Sequence, residues 1–321
     1  MRALVCREFG TADQLQIEEL PLPAVAAGQV RIAVQAAALD FPDWVAIVGK
    51  YQIRAPLPFV PGGEAAGVVT EVGQGVRQYA MGDRVIYGGS YGAFAGEVCV
   101  AESSLCAMPA DMDFPAAASF NVTYSTSYHA LKQGAALRPG ETLLVLGAAG
   151  GVGLAAVNIA AASTEAKLDV AYAAGATERI NYSTESLKDR IKALTQGAGV
   201  DVVYDAIGGE YSEPALRSVA WNGRFLVVEF AAGSIATIPL NLPLLKGCAI
   251  LGVFLGAWRE RDPEAYRQNC AELCTLYPSG RVRPLISGTF ALEQYREAFA
   301  ELSGRRAVGK VVFNLSAPFT R

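Results

Sequence analysis

Apolar and polar positions alternate through the first 120 residues. Leu15-Gln16-Ile17-Glu18 and Val30-Arg31-Ile32-Ala33-Val34 follow period two, the mark of a half-buried strand. Pro61-Gly62-Gly63, Gly73-Gln74-Gly75 and Met81-Gly82-Asp83 cut the region into short segments. This pattern predicts a turn-rich, barrel-like β region. From about residue 141 the pattern changes. Thr142-Leu143-Leu144-Val145-Leu146 is apolar almost throughout, as suits a parallel strand covered on both faces. Similar blocks recur at residues 200–205, 223–228 and 249–254, with helical stretches such as 186–194 between them. Alternating strand and helix predicts a doubly wound parallel sheet. Residues 283–313 turn β-like again and are expected to rejoin the first region.

Length and charge narrow the classes. At about 100–200 residues per domain, 321 residues suggest two domains. Hydrophobic residues make up 52% and charged residues 18%, a globular composition. The net charge of −4 offers no basic surface, so no nucleic-acid partner is expected. Arg2, Arg7 and Glu8 interrupt the N-terminus where a secretory signal would need an apolar core. Residues 142–164 carry no charge, which is long enough for a membrane span. Their centre, Gly150-Gly151-Val152-Gly153, is flanked by alanines rather than leucines, so no membrane partner is expected. Six scattered cysteines form no C-x-x-C, which fits a reduced, cytoplasmic compartment. Cys270 and Cys274 share a helix face and are expected to pack as small apolar residues.

The uncharged run carries the chemistry. Ala148-Ala149-Gly150-Gly151-Val152-Gly153 follows an apolar strand and precedes an apolar run, the context of a dinucleotide fingerprint. Gly150 and Gly151 let backbone approach a pyrophosphate, with Ala149 and Val152 completing the turn. The amides of a helix N-terminus stabilise its charge. Gly153 allows close packing of helix on strand. Ala148 stands where the pattern usually has its first glycine, and a tight turn without ligand is the competing reading. Downstream, an NAD site wants an acid for the ribose hydroxyl. The region reads Ala161-Ala162-Ser163-Thr164-Glu165-Ala166-Lys167 instead. Ser163 and Lys167 suit the 2′-phosphate of NADPH. A helix cap and a solvated lysine are the alternative, and Glu165 opposes a phosphate.

Several blocks in order resemble the zinc-free quinone oxidoreductases of the medium-chain dehydrogenase/reductase superfamily. They are Pro61-Gly62-Gly63-Glu64-Ala65-Ala66-Gly67-Val68-Val69, Val72-Gly73-Gln74-Gly75-Val76, Gly82-Asp83-Arg84-Val85, the glycine loop, Ile180-Asn181-Tyr182, Asp205-Ala206-Ile207-Gly208-Gly209 and Gly309-Lys310-Val311-Val312. The resemblance covers nearly the whole chain. It implies an α/β fold: a GroES-like β-barrel-type domain over residues 1–122 and 258–321, and a Rossmann domain with a doubly wound parallel sheet over residues 123–257. A substrate cleft is expected between them. It implies that Lys167 and Tyr182 flank the adenosine 2′-phosphate. Thr126 would contact the nicotinamide amide, with Phe230, Val253, Phe254 and Leu255 on the nicotinamide side and Lys310 also toward the cofactor. Asp40, Asp43 and Tyr51 would face the substrate as catalytic candidates, with structural hydrogen bonding in the loop as the alternative for Asp43 and Tyr51. Many relatives have Asn where this chain has Asp40.

No metal is expected. A zinc site needs Cys, His and carboxylate ligands. Zinc-dependent members place Gly-His-Glu where this chain has Gly62-Gly63-Glu64, and Cys where it has Asp40. The single histidine, His129, lies on an apolar stretch and is expected to pack in a helix. The combined reading is hydride transfer from NADPH to a quinone or similar electrophilic carbonyl. The enzymatic alternative is an enoyl or enone reductase; the non-enzymatic one is an NADP-binding structural or sensor protein. The apolar strand at 248–255 predicts a homodimer through an exposed sheet edge. One spacing is anomalous. Ser163 comes ten positions after Gly153, too few for a typical helix of about 11 residues and a strand of about 5. This predicts roughly ten residues missing at Ala160–Ala161, rather than a true deletion, by comparison with the spacing of about 20 residues in this fold.

Overall fold

A computed structural model describes residues 1–157, 159–162, 165–280, 282–304 and 306–316. The chain divides into two compact units, Met1–Val122 with Trp258–Arg321, and Thr123–Ala257.

The first unit is built on β-strands. β1 (Arg2–Cys6) and β2 (Leu15–Glu19) form an antiparallel pair. A seven-stranded sheet contains β3 (Gln29–Leu39), β4 (Glu64–Val72), β5 (Arg84–Gly88), β6 (Glu97–Ala101), β7 (Leu105–Ala107), β14 (Ile286–Ala291) and β15 (Lys310–Asn314). Its order is β14-β15-β3-β4-β5-β7, with β6 also paired to β3. β15 lies antiparallel on β3, so the tail does rejoin the first region. The alternation in β3 is physical: Val30, Ile32 and Val34 are buried while Gln29, Arg31 and Ala33 are less so. The core gathers Leu4, Ile32, Leu39, Phe94, Phe299 and Phe313. Between β14 and β15 the tail also carries a helix, Tyr295–Ser303, whose Tyr295, Ala298 and Phe299 are buried at helical spacing.

The second unit is a parallel sheet of β8 (Leu143–Leu146), β9 (Ile159–Ala162), β10 (Glu178–Asn181), β11 (Val200–Asp205), β12 (Val219–Val227) and β13 (Ala249–Gly252). The order β10-β9-β8-β11-β12-β13 is that of a Rossmann sheet, reversing direction between β8 and β11. β8 is wholly buried, as its unbroken apolar run requires. Helix Leu187–Leu194 matches the predicted helical stretch and is capped by the Ser186 side chain.

The expectation of missing residues at Ala160–Ala161 is overturned. The full sequence is continuous there, and Ile159–Ala162 forms β9, paired in parallel to both β8 and β10. The central strand is kept and the helix is what shrinks: Gly151–Ala155 has five residues. Residues 147–158 meet the requirement of about a dozen residues for a parallel crossover. The sheet forces this outcome, because removing β9 would leave the backbone groups of β8 and β10 unpaired across a buried gap.

Candidate active site

The glycine turn lies at the carboxyl end of β8, where the strand order reverses. Gly147 has φ +76°, a conformation that costs glycine little and other residues much. The flexibility expected one position later is therefore supplied by Gly147, while Ala148 and Ala149 are buried. Gly150 N–H donates to Gly147 O at 3.0 Å and closes the turn. Gly150 precedes the helix with φ −81° and ψ 167°, and the Gly151 and Val152 amides begin that helix. A Cβ on Gly153 would fall 2.2 Å from Gly147 O and 2.8 Å from Gly147 C, so the packing of helix on turn excludes any side chain there. This cradle fits a dinucleotide pyrophosphate.

Neighbouring side chains hold the turn. Ser127 Oγ, from helix Asn121–His129, donates to Val152 O at 2.8 Å and lies 2.9 Å from Tyr204 Oη on β11. Burial pushes the Tyr204 phenol well above its ordinary range, so it stays a neutral bridge. Sequence reasoning missed Ser127 and Tyr204, although Thr126 beside Ser127 was expected at the nicotinamide; Thr126 is buried. The Asp205 block is structural. Asp205 Oδ1 accepts the Ile207 and Gly208 amides at 2.9 and 2.8 Å, and Oδ2 accepts Ser212 Oγ at 2.5 Å.

Of the other expected cofactor residues, Lys167 is half-buried on helix Glu165–Ala173. The Tyr182 ring packs against that of Tyr211, centroids 4.4 Å apart and planes tilted by 44°. Ser163 lies outside the described residues. Phe230 follows β12, near enough that a Cβ on Gly208 would lie 2.8 Å from its ring. Val253 N–H donates to Val227 O at 2.9 Å, Phe254 is 42% exposed, and Leu255 begins helix Leu255–Arg261. His129 ends a helix, half-buried, with Nδ1 3.3 Å from Gln133 Oε1.

Asp40, Asp43, Glu64 and Lys310 form a buried cluster in the first unit. Lys310 was expected at the cofactor; instead its ammonium donates to Asp40 Oδ1 and, at 3.0 Å, to Glu64 Oε2. Four percent exposed on its side chain, it is fully engaged by these carboxylates. Burial works against its charge, but Asp40 and Glu64 outweigh that and raise its pKa. Asp43 Oδ2 accepts the Asp40 amide at 2.8 Å and Oδ1 the Gly63 amide at 3.0 Å. Asp43 thus fastens the start of helix Phe41–Ile47 to the bend at Gly63 just before β4, a structural hydrogen-bonding role. Burial, then the charge of Asp40, pushes Asp43 up to about 8. Burial also pushes Glu64 up to about 8 against the pull of Lys310. Tyr51 lies half-buried in the bend beyond helix Phe41–Ile47.

Residues 26–110 match the family described as alcohol dehydrogenase GroES-like domain, and residues 174–313 that described as zinc-binding dehydrogenase. A quinone oxidoreductase-like protein 2 homolog of Nematostella vectensis is 38% identical over 98% of this chain and 88% of its own length. The chain belongs to the medium-chain dehydrogenase/reductase superfamily. Within it, the similarity is to quinone oxidoreductase-like proteins. The crystal structure of the Pseudomonas syringae pv. tomato quinone oxidoreductase is 29% identical, with TM-score 0.92 over 98% of this chain and 99% of that one. The Escherichia coli quinone oxidoreductase complexed with NADPH is 27% identical, with TM-score 0.92 over 98% and 100%. The oxidoreductase class follows from this membership.

The zinc named in the family description does not fit. Zinc favours thiolate and imidazole donors, and among the described residues no group of three Cys, His, Asp or Glu could hold a metal ion. Nor, among them, is any helix long and apolar enough to cross a membrane.

Proposed function

We propose that this protein is a zinc-independent NADPH:quinone-type reductase, passing a hydride to a quinone or an α,β-unsaturated carbonyl. The observation that carries the reading is the glycine turn at the reversal point of the Rossmann sheet, braced by Ser127 and closed by Gly153. The dinucleotide supplies the hydride when bound. The chain's share is binding and orientation. The amides of Gly150, Gly151 and Val152 receive the pyrophosphate. Lys167, Tyr182 and Ser163 read the 2′-phosphate. Thr126, Phe230 and the 253–255 segment orient the nicotinamide. Asp40 and Tyr51 address the acceptor, and Asp43 holds Asp40 in place through its backbone amide.

The protein acts in the cytoplasm, a reading supported by six free cysteines. It pairs with a second copy through β13, the last strand of its sheet, where Ile250 is 39% exposed.

A steady-state screen with NADPH tests the function. Oxidation of NADPH by p-benzoquinone is the expected result. Turnover of alkenals or enoyl thioesters without quinones would favour an enone reductase instead. Tight NADPH binding without turnover of any acceptor would leave a binding or sensor protein.

A further inference from the structure

The buried charge cluster has a property that the proposed reaction does not use. Asp40 follows β3, Glu64 opens β4 and Lys310 opens β15, so three chain segments converge on one point. Lys310 is 270 residues from Asp40 and 246 from Glu64. Burying charges is costly unless each is matched, and here the matching is unequal. Asp43 uses both oxygens on backbone amides. Glu64 Oε1 accepts the Val122 amide at 2.7 Å, leaving Oε2 for Lys310. Asp40 gives Oδ1 to Lys310, and its Oδ2 is buried with no hydrogen-bond partner. Asp40 itself is 9% exposed and Glu64 0%. Two buried carboxylates therefore grip a single cation, and one of their oxygens keeps unused lone pairs.

Oxygen donors converging on a cation are the ligand chemistry of hard divalent ions, which one or two carboxylates and several waters suffice to hold. We propose that the Lys310 ammonium occupies a cation position that Asp40 and Glu64 would otherwise offer to a divalent metal. A cation carried by the chain stands where a dissociable one could bind. Its charge repels an arriving ion. The inference rests on the metal-free reading above, and its test reads metal content rather than turnover, so the two can fail separately.

The full chain, Lys310→Ala, and Lys310→Ala combined with Asp40→Asn are stripped with a chelator and dialysed against Mn²⁺. Bound manganese is measured by elemental analysis and by loss of the free-ion paramagnetic signal; melting is followed in parallel. The native chain should bind none above background. Lys310→Ala should take up about one Mn²⁺ per chain and melt higher with the ion than without it. Adding Asp40→Asn should weaken that binding roughly tenfold or more. Stoichiometric Mn²⁺ on the native chain would overturn both the inference and the metal-free reading. A folded Lys310→Ala chain that ignores Mn²⁺ would overturn the inference alone. So would a Lys310→Ala chain that stays unfolded with Mn²⁺ present, since the ion then cannot replace the ammonium.

Discussion

Replacing Gly153 and Gly150 by alanine, one at a time, separates the architecture of the glycine turn from its chemistry. In Gly153→Ala the new methyl would sit 2.2 Å from Gly147 O, 2.8 Å from Gly147 C and 2.9 Å from Ala148 Cα. The first contact is roughly 1 Å inside van der Waals range. All three atoms are backbone, so no side chain can swing aside. Relief requires the helix Gly151–Ala155 to lift from the end of β8, and overpacking of this kind costs about 1–3 kcal/mol. The upper end applies because nothing flexible absorbs the strain. For a chain of 321 residues that corresponds to a fall in Tm of roughly 4–5 °C. Gly150→Ala differs. Its backbone, φ −81° and ψ 167°, is open to any residue, and its Cβ would meet Gly147 O only at 3.4 Å. Stability should change by no more than about 0.5 kcal/mol. If the turn seats the pyrophosphate, however, the methyl displaces charge-assisted contacts worth about 1.5–3 kcal/mol, one to two orders of magnitude in the Kd of NADPH. Scanning calorimetry gives the first quantity and fluorescence titration with NADPH the second. A Gly153→Ala protein that melts with the native one would refute the packing argument. Undiminished NADPH binding by Gly150→Ala would show that the pyrophosphate sits elsewhere.

Three further outcomes are expected. Lys167→Ala should weaken NADPH by roughly one to two orders of magnitude in Kd and leave NADH unchanged; equal losses in parallel titrations would remove Lys167 from the 2′-phosphate site. Ile250→Lys should place a charge on the edge strand and convert a dimer to a monomer in analytical ultracentrifugation; a native chain that is already monomeric at micromolar concentration counts against pairing. Glu141→Gln should cost about 1–2 kcal/mol near neutral pH, because Glu141 accepts Arg224 at 2.9 and 2.6 Å. The Arg224 hydrogen bond holds the Glu141 carboxyl below its usual range. A depressed folded pKa gives stability that is present above the unfolded value, about 4.3, and is lost as pH falls through the folded one. Urea unfolding of the mutant and native chains should therefore converge in acid, and a constant gap across pH would refute the assignment.

What the sequence revealed depends on the range over which each element is determined. The blocks at 142–146, 200–205, 223–228 and 249–254 sit on β8, β11, β12 and β13 to within a few residues, because a short, mainly apolar run is a local signature of a strand; β8 buries its run completely, while β13 at the edge leaves most of its own exposed. Asp43 carried a local signal that the substrate-facing expectation passed over: an acid three positions after Asp40, with Pro42 between, is the spacing of a helix start, and its side chain reaches back to the Asp40 amide. Helix Tyr295–Ser303 was also local, with apolar residues at i, i+3 and i+4, but the β-like residues on either side masked it. β9 is another matter. Ile159-Ala160-Ala161-Ala162 has one β-branched residue and three alanines, which favour helix. It is a strand because β8 and β10 leave a place that only a strand can fill, and the shortened crossover yields helix to supply it. Lys310 follows the same logic. Read in its block, Gly309-Lys310-Val311-Val312, it looks like a cofactor residue. Its true partners are fixed by the pairing of β15 on β3 and of β3 on β4, which carries Lys310, Asp40 and Glu64 to one end of the sheet. A pattern along the chain can show where a charge is; only the register of strands far apart in sequence shows which charge it neutralises.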